Sequence, residues 1–296
     1  MTFQLIDQER AHHAVSLLCS VLNVSRQDYW AWTKRAASRR RQDDERLKAR
    51  ILAAWHDSDQ TYGAPRLHAE LRLGGGVRVG KKRVARLMRE QGIHGVSRRR
   101  SRIRTTIPDK RAAPAPDLVN RDFSAERPDQ TWVADITYVP THEGWLFLAA
   151  VMDLYSRKIV GWSMSDDLEA PLVVDAISMA IARRKPKPGL VHHSDRGSQY
   201  ASLAMGRTLR DSKIMASMGS KGDPWDNACA ESCISTIKNE LVKRQTFVTR
   251  DQARLALFRY IESFYNPLRR HSSLAMLSPD EHERRYWEDN TAAAAA

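Results

Sequence analysis

The sequence predicts two architectures in series: an all-α N-terminal region, then an α/β domain in which three antiparallel strands precede alternating helices and strands. Three observations lead there. The 296-residue length is about twice that of a usual single domain. Apolar residues recur at helical spacing as far as about residue 93, and from Gln130 they give way to runs rich in β-branched and aromatic residues. The charge also divides: residues 1–110 hold 24 Lys+Arg and 11 Asp+Glu, a balance of 24 − 11 = +13, whereas residues 111–296 hold 24 of each.

The first helix is expected over 7–22, where Ala14, Val15, Leu17, Leu18, Val21 and Leu22 fall near helical spacing. Asn23-Val-Ser25 breaks it, and Ser25 can cap a second helix running to about Ala37. A third spans Asp43 to Asp57, with Leu47, Ile51, Leu52 and Trp55 on one face. A short helix opens at Pro65, Gly-rich residues 74–80 turn the chain, and residues 81–93 form another helix. That last helix points Val84, Leu87 and Met88 inward and Lys81, Lys82, Arg83, Arg86 and Arg89 outward. Helix, turn and cationic helix form the layout of a helix-turn-helix DNA reader; the plainer reading is a surface helix with basic decoration. The domain scheme is a helical region 1–96, a basic and Pro/Ala-rich linker 97–128, a core 129–245, and a C-terminal helix and tail 246–296.

Within the core, residues 131–140, 144–155 and 157–165 read as a three-strand meander joined by short turns. A helix over 170–184, a strand over 189–194, a helix over 200–211, a strand over 213–217 and a long helix over 225–244 follow, with a last helix over 250–265. This order is the ribonuclease-H-like α/β layout. Trp132, Trp145 and Trp162 are read as core aromatics of its strands.

The basic N-terminal half implies a polyanionic partner, because each cation placed on a phosphate releases a condensed counterion. No run approaches the roughly 18 apolar residues of a membrane span, and the N-terminus lacks a signal-peptide apolar core, so a cytoplasmic protein is expected. Cys19, Cys229 and Cys233 are too few for a disulfide framework. Cys229 and Cys233 resemble half a zinc site without a second pair nearby, and are read as inert thiols.

Three acids stand out by context. Asp135 interrupts an otherwise apolar or β-branched strand, where an unpaired carboxylate is costly and calls for a cation. Asp195 follows the 189–194 strand, and Glu231 lies in the helix after Gly222-Asp-Pro-Trp-Asp-Asn227. With the first strand central and the 189–194 strand beside it, all three can face one opening. Hard oxygen ligands from separate elements suit Mg²⁺ or Mn²⁺. Two such ions can activate an attacking oxygen and stabilise a leaving one in an in-line phosphoryl displacement.

The contexts W-x-x-D-I-T-Y at Asp135, H-S-D-R-G-S-Q-Y at Asp195 and G-D-P-W-D-N-A-x-x-E at Glu231 resemble those of the retroviral-integrase-like DDE transposases. Specifically, they resemble the downstream-frame (OrfB) product of two-frame bacterial insertion sequences, insertion-sequence family three. The tail Y-N-x-x-R-x-H-S-S-L-x-x-x-S-P and the N-terminal Y-G-x-x-R-L resemble it too, so the likeness covers nearly the whole chain. The resemblance implies metal-dependent cleavage and strand transfer on double-stranded DNA, an oligomer on that DNA, and an upstream-frame (OrfA) partner or fusion that recognises the element ends. It also implies a basic residue where Lys238 stands, two helical turns from Glu231. Two departures are visible: Ala275-Met276 replace the usual glycine and aromatic, and His282 stands where an aromatic is common.

Other residues keep two readings. His193 can orient a leaving group or satisfy a buried hydrogen bond. Asp226 and Asn227 can cap the Glu231 helix, and Asn227 can also contact DNA. Asp153 is read as structural. Arg269, Arg270 and His271 are read as phosphate contacts or a plain solvent face. A hydrolytic nuclease on the same fold, and a catalytically silent DNA-binding repressor, are the alternative functions; the first leaves the basic half unexplained, and the second fits poorly with three intact acids.

Overall fold

A computed structural model describes residues 2–36, 38–97, 124–219 and 227–295. The expected linker lies almost wholly outside the described residues, as does Asp226. The chain forms two compact units, Met1–Leu52 and Ala53–Ala296.

In the first unit the expected 7–22 helix is two helices, α1 (Thr2–Glu9) and α2 (Val15–Val21), followed by α3 (Arg26–Lys34). The backbone leaves the helical region at Ala14 (φ −62°, ψ 131°), and the break lets Ile6 meet Cys19 and Tyr29 in a small core. Ser25 caps α3 as expected, accepting hydrogen bonds from the Gln27 and Asp28 amides. Helix α4 (Arg39–Asp57) buries Leu47 and Ile51, but Leu52 is exposed.

The second unit gathers the helix pair α5 (Ala64–Leu73) and α6 (Lys81–Glu90) together with the sheet. Compactness thus keeps α5 and α6 with the sheet. The reason is specific bonding. Arg66 of α5 pairs with Glu240 at 3.0 Å, Glu70 pairs with Arg270 at 2.8 Å, and the Tyr62 hydroxyl accepts the Arg270 amide at 2.7 Å. Val84, Leu87 and Met88 of α6 are buried as its periodicity predicts.

The sheet comprises β1 (Thr131–Thr141), β2 (Gly144–Asp153), β3 (Ile159–Ser165), β4 (Val191–Ser194) and β5 (Met215–Met218), in the order β3-β2-β1-β4-β5. The first three strands are antiparallel, and β4 and β5 run parallel to β1. Strand alternation divides the core. Val133, Val139, Leu146 and Leu148 pack with α9 (Ala228–Glu240) and α10 (Arg250–Arg259). Trp132, Ala134 and Val151 pack on the other face with α7 (Ala170–Arg184) and α8 (Leu203–Asp211). Gly161 permits the close approach of α7 to β3, since a Cβ there would stand 2.2 Å from the Ala176 carbonyl oxygen. After α10 a wider turn, Tyr260–Tyr265, leads to the tail helix α11 (Pro279–Ala295). No helix among the described residues is long and apolar enough to cross a membrane.

Candidate active site

Strand β4 pairs with β1 only as far as Val133 opposite His193. Asp135 and Asp195 follow two positions further along each chain, just past the end of that ladder. The mouth at the carboxyl end of a parallel strand is where open α/β sheets form sites. Helix α9 packs on β1 on the Val133 face and brings Glu231 in its first turn. Asn227 closes the arrangement from below: its side-chain amide donates to the Ala134 carbonyl at 2.9 Å. The expected capping role is corrected, since Asn227 makes no side-chain cap bond. The side chain is buried, with its Nδ2 amide on β1 and its Oδ1 without a hydrogen-bond partner among the described residues.

The three acids feel one another. Burial first, then the negative charge of Asp195, pushes Asp135 up to about 7; the Ile136 amide and Lys238 pull the other way, and Glu231 adds to the rise. Burial raises Asp195, opposed by the Gly197 amide at 3.1 Å. Desolvation and then Asp195 raise Glu231, although its side chain lies on the exposed surface of α9. Each carboxyl is thus held above its ordinary value. Among the described residues, no three His, Cys, Asp or Glu side chains gather closely enough to enclose a metal ion.

Lys238 stands where the helical spacing put it. Burial lowers its pKa while Asp135 raises it, and its Nζ lies 4.9 Å from the centre of the Tyr138 ring. Sequence reasoning missed Tyr138 and also Tyr200, which is buried and held well above its ordinary pKa by desolvation and then by Asp135 and Asp195. Both sit inside the quoted motifs, and their place in them was the available signal. His193 takes the quieter of its two readings: it is buried, with Nδ1 2.8 Å from the Ser217 hydroxyl of β5. Cys233 is a buried thiol pushed up to about 11 by desolvation.

Asp153 is structural, accepting from the Asp129 and Ser156 amides. On α6, Lys81, Lys82 and Arg89 are exposed and Arg83 half-buried, while Arg86 pairs with Glu90. Neither reading of Arg269, Arg270 and His271 holds, because all three are buried. Arg269 grips Glu240 through two bonds of 2.6 Å, and Arg270 bridges Glu70 and Glu281. Trp132 is core, but Trp162 is only partly buried and Trp145 is exposed. His282 stacks on Tyr155 with ring centres 4.7 Å apart, so it fills the aromatic place it occupies.

The family described as "Integrase core domain" matches residues 125–224 and, in a second form, 212–279, and the "HTH-like domain" family matches residues 42–101. The chain is 39% identical to the transposase InsF for insertion sequence IS3A of Escherichia coli (strain K12), covering 96% of this chain and 99% of that protein. It belongs to the IS3-family transposases. It is also 41% identical to the insertion element IS600 uncharacterized 31 kDa protein of Shigella sonnei, over 91% of this chain and 98% of that one. Among solved structures, the HTLV-2 integrase catalytic core domain in complex with magnesium is 18% identical, with a TM-score of 0.42, covering 54% of this chain and 99% of that one. This transposase is a DDE-type enzyme with an integrase catalytic core of ribonuclease-H-like topology, and its α5–α6 pair falls within the HTH-like match.

Proposed function

We propose that this transposase cuts the ends of its element and joins the resulting 3′-OH to a phosphodiester of target DNA, with Asp135, Asp195 and Glu231 as the ligands of two Mg²⁺ or Mn²⁺ ions. The observation that supports the reading is the β1–β4 register, which ends at Val133 opposite His193, two residues before Asp135 and Asp195, with the Glu231 helix packed on the Val133 face of β1. The fit to a hard divalent cation lies in the donor set: three carboxylates, each raised in pKa. Bound there, the ions supply Lewis-acid stabilisation of the attacking and leaving oxygens. Lys238 holds a phosphate beside the reacting one, since an ammonium donates hydrogen bonds and repels a cation. Lys81, Lys82, Arg83, Arg86 and Arg89 of α6 reach the phosphates of double-stranded DNA. The enzyme works as an oligomer on the bacterial nucleoid, with an upstream-frame product recognising the element ends.

The test is strand transfer on labelled element ends. Asp135→Asn, Asp195→Asn and Glu231→Gln should each lower joining by about a thousandfold or more while DNA binding persists. Near-normal joining by any one variant removes that residue from the site.

A further inference from the structure

Trp145, the second residue of β2, has 52% of its surface in solvent, an unusual place for the largest apolar side chain. It is held firmly. The Tyr138 ring meets it edge-on, with centres 5.3 Å apart and an interplanar angle of 71°. Its carbonyl accepts a hydrogen bond from Arg250 Nε at 3.1 Å. Tyr138 in turn lies under the Lys238 ammonium, which sits in the field of Asp135. A contact path therefore runs from Lys238 through the Tyr138 ring to an open indole. The β1 edge along this path is free of strand partners among the described residues between Ala134, bonded to Asn227, and Thr141, bridged to Phe247. Lys238 takes part in no ion pair among the described residues, so its charge remains available for a phosphate.

We propose that Trp145, braced by Tyr138, is a stacking platform for an unpaired DNA base a few nucleotides from the reacting phosphate. The proposal rests on the reading of the three acids as the reaction centre. Trp145 stands opposite Pro140, five residues beyond Asp135, which is about 17 Å along an extended strand. That spans about five stacked nucleotide steps, and fewer if the DNA strand is drawn out. A paired base offers only its edges, whereas an unstacked base offers a π-face that an aromatic accepts whatever its identity.

The experiment uses the full chain and two fluorescent DNAs of one sequence, a fully paired duplex and a fork with unpaired arms. Wild type should prefer the fork by about tenfold. Trp145→Ala should erase that preference without changing duplex binding, and Trp145→Phe should keep most of it. One abasic nucleotide in the arm should reproduce the loss in wild type and add nothing to Trp145→Ala. Unchanged wild-type binding with abasic nucleotides at every arm position overturns the proposal, as does equal weakening of fork and duplex by Trp145→Ala. Asp135→Asn should lose joining but keep the fork preference, so failure of the reaction centre and failure of the platform read out separately.

Discussion

Glu231 and Glu240 lie on one helix, nine positions and about 14 Å apart, in surroundings of opposite sign. At the first end, Glu231 faces Asp195 and Asp135, and each carboxyl is raised. At the second, Glu240 accepts from Arg269, Arg66 and the Tyr260 hydroxyl. Burial alone would raise Glu240, but the Arg269 hydrogen bonds and charge outweigh it and hold the carboxyl below its ordinary value. One end is a cluster of like charges, which folding alone disfavours. The other is a satisfied ion network that ties α5 to the catalytic sheet. The difference separates a place kept for a ligand from a place kept for structure, and neither acid's identity could have told them apart.

Removing the charge at each end breaks the comparison most directly. Glu240→Gln leaves the Arg269 guanidinium, only 2% exposed, without its counter-charge, and should cost about 3–5 kcal/mol of stability. Glu231→Gln, which removes a repelling charge, should leave stability unchanged or slightly raised. Urea melts of the two variants in chelator measure both. Equal destabilisation by the two would show that the Glu231 end is also a structural network.

That contrast marks where sequence reading stops. The strand pattern around Asp135, the acid after β4 and the helical phase of Lys238 were legible, because alternation and helical spacing fix which face a residue takes. Arg269, Arg270 and His271 were not. Their counter-charges come from Glu240, Glu70 and Glu281, and Glu70 and Arg270 are 200 residues apart in sequence. Periodicity carries no record of such pairing. Trp145 misled in the other direction: its strand phase was readable, but nothing local shows that half of its side chain stays in solvent at that end of the sheet. The break between α1 and α2 was hidden for a similar reason, since its benefit is the contact of Ile6 with Cys19 and Tyr29.

Acidity sharpens the same contrast more gently, because the two ends titrate with opposite sign. Asp135 is raised from 3.8 to about 7, so the native state holds its proton more tightly than the unfolded chain. The stability due to this group is greatest below about pH 4 and is lost as pH rises towards 7. Glu240 is lowered from 4.5, so its contribution is present above that value and is lost as pH falls through the depressed pKa. Asp153, raised to about 6, leans the same way as Asp135, so the groups must be separated by difference. In chelator, the stability of wild type minus that of Asp135→Asn should fall from pH 4 to 7, and wild type minus Glu240→Gln should rise from acid pH to about pH 5. Parallel slopes would mean that the two ends are not opposed.

The smallest effect concerns the tail turn that delivers Arg269 and Arg270 to the compensated end. Ala275 and Met276, standing where a glycine and an aromatic are usual, both adopt left-handed backbone, with φ of 50° and 66°. The turn is fixed by hydrogen bonds from the Met276 amide to the His271 carbonyl at 2.8 Å and from the His271 amide to the Leu277 carbonyl at 3.0 Å, so the conformation cannot relax without releasing them. A Cβ in this region crowds its own carbonyl and costs about 1–2 kcal/mol. Ala275→Gly removes that crowding but gives the unfolded chain more freedom, worth about 0.5–1 kcal/mol. The net expectation is a gain of about 0.5 kcal/mol, or about 1–2 °C in Tm for a chain of this size. The gain should fall on the Glu240 end alone. Ala275→Gly should therefore add to Asp135→Asn without interaction, because distant sites are additive, and should shrink in a Glu240→Gln background where the arginines have lost their anchor. Paired thermal melts of the single and double variants decide it. A full gain on top of Glu240→Gln would show that the turn and the ion network are energetically separate.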